Sequence, residues 1–478
     1  MTFIGRAHEL AGLEDLWGMR RQVVLLWGRR RVGKTTLIDR FAAGKPGISF
    51  QADEGTATEQ LARLTDRILA FRSDPELRAA PLANWDQALA YLLRVTREQL
   101  RAGQPLLVVL DEFPRLVAST PRLPSMLQDV LEDVRREDLP LFLVIAGSQI
   151  GLYERHVLQG PLYGRRTWGQ QLPPLSPDEV AEFFPTWAPA DRLRAWAVLG
   201  GIPYYLEQWL PERSLAWNIT QRVLTKGSVL YDEAELLAKE ELGASAGTYL
   251  SIIAAVADGA TRQSEIATKV GIPATSAPSY LDQLRRLHIL EHRTPLGSAA
   301  GKRNGIWAVS DPYLRFWFSF VRANRTDLEL RAADRVWRER VAPVLDEWVS
   351  QPAFEEVVRH HARAAIGNDP AFPARGEVGT WWGPIPDDRM PGSRRTRQGE
   401  VDLVAYDRRD LVLAGEAKWT SRADIDALDQ LLRTVVHVPG YGPDTRLAIY
   451  ARDGFTERLQ DRAGERGVIL RTVADLYP

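Results

Sequence analysis

Cysteine is absent from the 478 residues, and methionine occurs only four times. Without cysteine there is no disulfide, no thiolate metal site, no zinc finger and no cysteine nucleophile, which agrees with a reducing compartment. Long apolar runs are also missing. None approaches the ~18 residues that a membrane span needs. The start, Met1-Thr2-Phe3-Ile4-Gly5-Arg6, has no basic segment leading into an apolar one, so no secretory leader is read and a cytoplasmic location is expected. No sign of charge dominates: 61 Lys and Arg face 62 Asp and Glu, for a net charge of -1. Global attraction to nucleic acid is thereby excluded, and any DNA contact must come from local basic patches.

What is present is an ordinary globular composition, 45% apolar and 26% charged, which disfavours disorder and fibrous folds. At ~100–200 residues per domain the length suggests three or four domains. Three apolar runs stand out: Gln22 to Trp27, Leu106 to Leu110 and Leu141 to Ala146. Runs of this length between helical patterns read as buried parallel strands of an α/β domain. From Asp178 to Trp217 the pattern is helical, broken at Gly200-Gly201-Ile202-Pro203, and reads as a small lid. Three helices follow, Tyr249 to Val256, Ser264 to Val270 and Ser279 to Leu287. Two strand candidates, Ile289 to Arg293 and Ile306 to Val309, then flank a Gly-rich tip. That order predicts a winged helix-turn-helix. Tyr313 to Phe320 reads as aromatic core packing. A last α/β unit begins near Pro352, and Gly383 to Gly399 is the clearest flexible loop. The expected division is therefore 1–175 α/β core, 176–240 helical lid, 241–312 winged helix, 313–350 helical connector and 351–478 a further α/β domain.

A phosphate chain needs several backbone N–H donors at close range and a helix N-terminus aimed at it. Gly28-Arg29-Arg30-Arg31-Val32-Gly33-Lys34-Thr35, between a strand and a helix, has the spacing that supplies both. Gly28 and Gly33 shape the loop, Lys34 reaches the β- and γ-phosphates, Thr35 ligates Mg²⁺, and Thr36 joins the nucleotide-binding set. Asp111-Glu112, ending an apolar strand, supplies the other half. Asp111 holds the Mg²⁺ shell and Glu112 polarises the attacking water. The nucleotide expected is ATP. Ser148 and Gln149, after the third strand, either sense the γ-phosphate or merely begin a turn. Arg165 and Arg166 either stabilise charge on the transferred phosphoryl group, in this chain or on a neighbouring copy in a homo-oligomer, or are plain surface arginines.

Phe3-Ile4-Gly5-Arg6 with Glu9-Leu10, the loop and acidic pair above, Gly147-Ser148, Pro161 to Arg166 and Gly200 to Pro203 together resemble the archaeal-type AAA-related ATPases, close to the STAND group. That resemblance implies that Phe3, Gly5 and Arg6 pack near the adenine. Further on, Ser310-Asp311-Pro312-Tyr313-Leu314-Arg315-Phe316-Trp317, Gly399-Glu400-Val401-Asp402 and Gly415-Glu416-Ala417-Lys418-Trp419 look like that family's C-terminal domain of unknown function. Its fold is restriction-endonuclease-like, of the PD-(D/E)xK type.

Strand alternation puts Glu416 and Lys418 on one face, and a hairpin tip near Arg409 brings Asp402 opposite or nearly opposite Glu416. The resemblance implies metal ligation by Asp402 and Glu416, with Lys418 orienting the nucleophile and Glu355 as a further acid. Glu400, on the same face as Asp402, is a rival ligand, and Val401 stands where the motif usually has proline. The bland alternative is a surface hairpin with a weak Glu–Lys ion pair, worth ~0–1 kcal/mol. Arg394, Arg395 and Arg397 could neutralise DNA phosphates or simply be solvated. In the winged helix, Thr275, Ser276, Ser279 and Tyr280 would contact DNA, supported by Arg285, Arg286, Arg293, Lys302 and Arg303, unless the unit serves only to pack between domains. The leading expectation is an ATPase that gates binding of double-stranded or branched DNA and a metal-dependent nuclease-like centre. A non-cleaving, ATP-dependent regulator is the alternative. A translocase finds no helicase motif beyond the phosphate loop.

Overall fold

The computed structural model describes residues 3–19, 21–100, 103–297, 305–387 and 396–477. By packing, the chain forms two units: Gly5–Pro174 with Ile202–Tyr204, and Leu175–Gly201 with Tyr205 onward and the first four residues. No helix among the described residues is long and apolar enough to cross a membrane.

The first unit runs α1 (Ala7–Trp17), β1 (Gln22–Trp27), α2 (Lys34–Ala42), β2 (Gly47–Gln51), α3 (Ala57–Phe71), α4 (Trp85–Gln99), β3 (Leu106–Asp111), α5 (Leu123–Arg136), β4 (Leu141–Gly147) and β5 (Trp168–Gln171). The strands form one parallel sheet in the order β2-β3-β4-β1-β5. Every residue of β3 and β4 is buried, as expected for strands covered on both faces, where side chains on either side must be apolar. Each fully buried Val or Leu there contributes ~1.5–3 kcal/mol. Trp17 of α1 packs on Phe41 of α2 and Phe142 of β4, with ring centroids 5.9 and 5.4 Å away. Two strands went unread in the sequence. Gly47-Ile48-Ser49-Phe50-Gln51 and Trp168-Gly169-Gln170-Gln171 are edge strands with polar residues, so neither is a continuous apolar run.

The order has one consequence for chemistry. Because β4 lies between β1 and β3, the segments following three neighbouring strands, Gly28, Ser148 and Glu112, gather at one edge of the sheet. That carboxyl edge is where open parallel sheets bind ligands.

The second unit begins with α6 (Pro177–Ala181) and α7 (Pro189–Leu199). Gly200 follows at φ +66, and a Cβ on Gly201 would collide with the backbone of Leu175, whose N–H donates to the Gly201 carbonyl at 2.7 Å. After α8 (Val229–Leu242) come α9 (Ala246–Ala257), α10 (Gln263–Val270) and α11 (Ala277–Arg286). The antiparallel pair β6 (Leu290–Arg293) and β7 (Ile306–Val309) completes this part. Pro278 sits in the first turn of α11, where its missing N–H costs no helix bond. Lys302 and Arg303 lie outside the described residues, as do Arg394 and Arg395. Just past β6, the Leu296 N–H donates to the Thr380 carbonyl at 2.8 Å.

Next is α12 (Pro312–Phe316), anchored by its aromatic neighbours. The Tyr313 hydroxyl and the Trp317 indole N–H donate to the carbonyls of Leu230 and Tyr231 at 2.6 and 2.8 Å. The chain then forms α13 (Glu355–Ala365), β8 (Glu377–Pro386), β9 (Thr396–Asp407), β10 (Asp410–Lys418), α14 (Ile425–Val435), β11 (Arg446–Ala451), α15 (Glu457–Arg466) and β12 (Ile469–Thr472). The sheet is mixed, in the order β12-β11-β10-β9-β8, antiparallel from β8 to β10 and parallel beyond. Both ends of the stretch expected as a flexible loop, Gly383–Pro386 and Thr396–Gly399, are paired strand. Pro384 and Pro386 are accommodated because β8 is the sheet edge, where a missing N–H leaves no ladder bond broken on the outer side.

The glycine contacts predict opposite outcomes for two substitutions. Gly201→Ala should lower stability by about 3 kcal/mol through collision with Leu175. Gly12→Ala, inside α1 with nothing within 4 Å of a new Cβ, should raise it by up to about 1 kcal/mol. Urea unfolding of the two variants checks both signs.

Candidate functional site

In the first unit, β1 delivers the chain to Gly28, where a Cβ would stand 2.7 Å from the Leu172 carbonyl oxygen, and Gly33 takes φ +94 to start α2. Only glycine suits either position. Lys34 is buried and folds its ammonium back onto the loop, donating to the carbonyls of Gly28 at 2.8 Å and Arg29 at 3.1 Å. The Thr35 hydroxyl donates to Asp111 Oδ2 at 2.8 Å, joining the loop helix to the end of β3. Burial, and then the neighbouring Glu112 charge, push the Asp111 carboxyl above its ordinary range, while the Thr35 bond opposes the shift. A buried carboxylate beside a hydroxyl suits a hard divalent cation, whose charge would offset the desolvation.

Glu112 adopts φ +52, uncommon for a side-chain-bearing residue. Its carboxylate accepts from the Ser148 hydroxyl at 2.8 Å, so the polar residue just after β4 grips the acid just after β3. Gln149 is half-buried, and its carbonyl accepts from the Tyr153 N–H at 2.8 Å. Thr36 is exposed on α2. Arg6 is buried at φ +62 and donates to the Val32 carbonyl at 3.1 Å and to the Pro173 carbonyl, bracing the loop from behind. Gly5, at φ +71, belongs to this unit, whereas Phe3 packs with the other. Arg165 is ion-paired with Glu132 of α5, and the Arg166 guanidinium lies 3.6 Å above the Tyr163 ring.

In the second unit a β-bulge sets the geometry. Leu411 faces Tyr406, but beyond Val412 the register shifts so that Leu413 faces Ala405 and Gly415 faces Leu403. The next position brings Glu416 opposite Asp402; without the extra residue it would face Val401. Val401 points into the core shared with Leu428 and Leu431 of α14. Asp402 faces the other way, where oxygens of Glu355, Glu400 and Asp402 all lie within 4.8 Å of one another. Glu355, Asp402 and Glu416 are buried.

Two cations balance these acids in part. Lys418 Nζ meets Glu416 Oε2 at 2.8 Å. Arg359, one turn along α13 from Glu355, lies 3.6 Å from that carboxylate and donates to the Asp402 carbonyl at 3.0 Å. Burial, and then the Asp402 charge, hold both Glu355 and Glu416 well above the usual carboxylate range. Asp402 is itself raised by burial. Burial works against charged Lys418, but Glu416 more than compensates and its ammonium is held above the ordinary range. Glu416 Oε1 is buried and has no hydrogen-bond partner among the described residues. The oxygens close enough to share one divalent cation are those of Glu355, Glu400 and Asp402, and Glu416 stands beside Asp402 without belonging to that group.

Comparison with known proteins now adds to the geometry. Residues 3–209 match the model of an ATPase domain predominantly from Archaea. The chain carries an archaeal ATPase domain. Residues 317–428 match a family of archaeal and bacterial proteins of unknown function. An uncharacterized protein of Methanocaldococcus jannaschii is 26% identical over 431 residues, 89% of each chain. An uncharacterized ATP-binding protein of the same organism is 44% identical over 46 residues, 9% of this chain and 78% of that one. Among solved structures, a Walker-type ATPase of Pyrococcus abyssi superposes with a TM-score of 0.52 at 19% identity, covering 66% of this chain and 96% of that one. That likeness is one of fold.

Within the ATPase domain the sequence led to each residue of the loop and the acidic pair, and the structure joins them through Thr35 and Asp111. In the C-terminal sheet it brings together Glu355, Glu400 and Asp402, so the rival acid stands beside the favoured one. Arg359 was missed. Its only sequence signal is a position four residues after Glu355, a spacing that helices use for ordinary ion pairs.

The charge balance yields a prediction. In chelator-treated protein, Lys418→Met should lower stability by about 2–4 kcal/mol, because it strands buried carboxylates. Glu416→Gln should cost less than about 1 kcal/mol or be stabilising, since it removes a disfavoured charge. Equal losses in urea titrations of the two variants would contradict this charge balance.

Proposed function

We propose that the protein is an ATP-hydrolysing switch whose C-terminal sheet carries a metal-dependent, nuclease-like centre acting on DNA. The observation that carries the reading is the pairing of two sites in one chain: a loop joined to an acidic strand through Thr35 and Asp111, and a cluster of Glu355, Glu400 and Asp402 near the Lys418–Glu416 pair.

At the first site, Lys34 would exchange its bonds to the Gly28 and Arg29 carbonyls for the β- and γ-phosphates. Thr35 and Asp111 would hold Mg²⁺, which when bound offsets charge on the phosphates. Glu112 orients the attacking water, and the Ser148 hydroxyl fixes the carboxylate that does so. This gives Ser148 a positioning role sensitive to the γ-phosphate. Thr36 and Gln149 complete the nucleotide surroundings. Arg6 supports the loop rather than the adenine, given its bond to the Val32 carbonyl. An arginine-finger role for Arg165 requires release from Glu132, and one for Arg166 requires departure from Tyr163. Assembly into a homo-oligomer is the event that would release them.

At the second site, Asp402 and Glu416 would hold the cation, Glu355 and Glu400 would flank it, and Lys418 would position water for attack on a phosphodiester. The three-helix segment with β6 and β7 supports a winged helix that contacts DNA through α11. Thr275 and Ser279 are exposed there, whereas Tyr280 is partly taken up by an edge-to-face contact with Tyr249 at 5.0 Å. A second reading, a non-cleaving regulator, is favoured by a specific observation. Lys418 and Arg359 already pair with Glu416 and Glu355, so the cluster is partly neutralised without a metal.

Hydrolysis assays test the first site. Lys34→Ala should abolish turnover, and Glu112→Gln should slow it by roughly 10²–10⁴-fold while ATP stays bound. Unchanged turnover in both would refute the assignment. For the second site, wild type with Mn²⁺ or Mg²⁺ and ATP should cut linear, supercoiled or branched DNA, and Asp402→Ala and Lys418→Ala should stop it. Absence of any cutting, with DNA binding retained, would leave the regulator.

A further inference from the structure

A cavity of about 190 Å³ lies in the second unit, lined by Trp196, Glu291, Arg293, Ser310, Arg315 and Glu356 among others. It far exceeds the ~15 Å³ that admits a single water. It adjoins the carboxylate cluster, since Glu356 follows Glu355, the Arg293 charge acts on Glu355 and the Glu355 charge acts on Arg315. The acids of its lining are already satisfied. Glu291 pairs with Arg293 at 2.5 Å, and Glu356 pairs with Arg359 at 2.9 Å and Arg363 at 3.0 Å.

Arg315 differs. Its guanidinium donates to the carbonyls of Trp348 at 2.7 Å and Gln351 at 2.5 Å, and it lies 3.9 Å above the Trp348 ring. Among the described residues no carboxylate pairs with it. Burial, and then the Arg293 charge, pull it down to about 9. A largely desolvated guanidinium with no carboxylate in direct contact, only the more distant charge of Glu355, is costly, and an anion in the cavity would relieve that cost. The segment that carries it is rigidly held. Asp311 caps α12 by accepting from the Leu314 N–H at 2.9 Å, and Tyr313 and Trp317 are tied to the backbone of α8. The Leu296–Thr380 hydrogen bond holds the chain just beyond Arg293 against β8.

We propose that this cavity is a phosphate subsite for a DNA strand, in which Arg315 and Arg293 hold a phosphodiester beside the one presented to the carboxylate cluster. The inference deepens the proposed DNA-acting function and rests on it. It gives the string Asp311 to Trp317 a task beyond packing: its aromatic residues fix the helix, and its arginine presents a planar fork suited to two phosphate oxygens.

The test is fluorescence anisotropy of labelled single-stranded and duplex oligodeoxynucleotides with the full chain, using Ca²⁺ in place of Mg²⁺ to hold off cleavage. Arg315→Gln and Arg293→Gln should each weaken binding about tenfold or more. Each should also flatten the salt dependence by about one unit of slope. Arg315→Lys should recover part of the loss. Arg293→Gln guards against a folding defect in the Arg315 variant, because Arg293 has no backbone bond in this cavity's frame comparable to those of Arg315. Two folded variants that bind with wild-type affinity and salt slope would overturn the subsite while leaving the proposed DNA function intact. If wild type binds neither oligonucleotide but inorganic phosphate raises its melting temperature in an Arg315-dependent way, the DNA assignment is wrong and the ligand is a small phosphate. Binding of neither would overturn the subsite and the DNA function together, and calorimetry with ATP would show whether the nucleotide half survives.

Discussion

A single hydrogen bond, from the Thr35 hydroxyl to the Asp111 carboxylate at 2.8 Å, ties together parts of the chain that are 76 residues apart and two strands away from each other in the sheet. It forms because β1 and β3 flank β4 in one parallel sheet, and the sheet is held by apolar side chains on both faces of β3 and β4. Everything else at that edge follows from the same arrangement. Ser148 reaches Glu112 because β4 ends between the loop and the acid. The Lys34 ammonium rests on the loop carbonyls because glycines at 28 and 33 let the backbone turn there.

The C-terminal sheet faces a different constraint. Glu355, Asp402 and Glu416 are buried together, an arrangement that desolvation and mutual repulsion oppose. Arg359 and Lys418 lessen the cost but leave Glu416 Oε1 without a partner. The bulge at Val412 is what aligns Glu416 with Asp402. The nearby cavity with Arg315 presents the complementary deficit, a cation short of an anion. On the proposed reading, the carboxylates take a metal and the guanidinium groups a phosphate of the same DNA strand.

How much of this was legible depended on whether the decisive interaction is local. The buried strands Gln22–Trp27, Leu106–Asp111 and Leu141–Gly147 could be read because full burial demands an unbroken apolar run. Edge strands such as Gly47–Gln51 and Trp168–Gln171, with polar side chains, left no such trace. Strand alternation foretold that Asp402 would meet Glu416, but only the bulge decided between opposite and nearly opposite. The structure departs from the expected loop over 383–399 at both ends, because an edge strand tolerates the prolines and glycines found there. Arg359 and the cavity around Arg315 depend on contacts between segments far apart in the chain. No periodicity reports those.

The central claim is that the loop at 28–35 and Asp111 together hold ATP with magnesium. Calorimetric titration of ATP into the intact, folded chain, with and without Mg²⁺, addresses it most directly. The account predicts saturable binding at one site per chain that Mg²⁺ strengthens. No heat of binding under either condition, or binding indifferent to Mg²⁺, would contradict it.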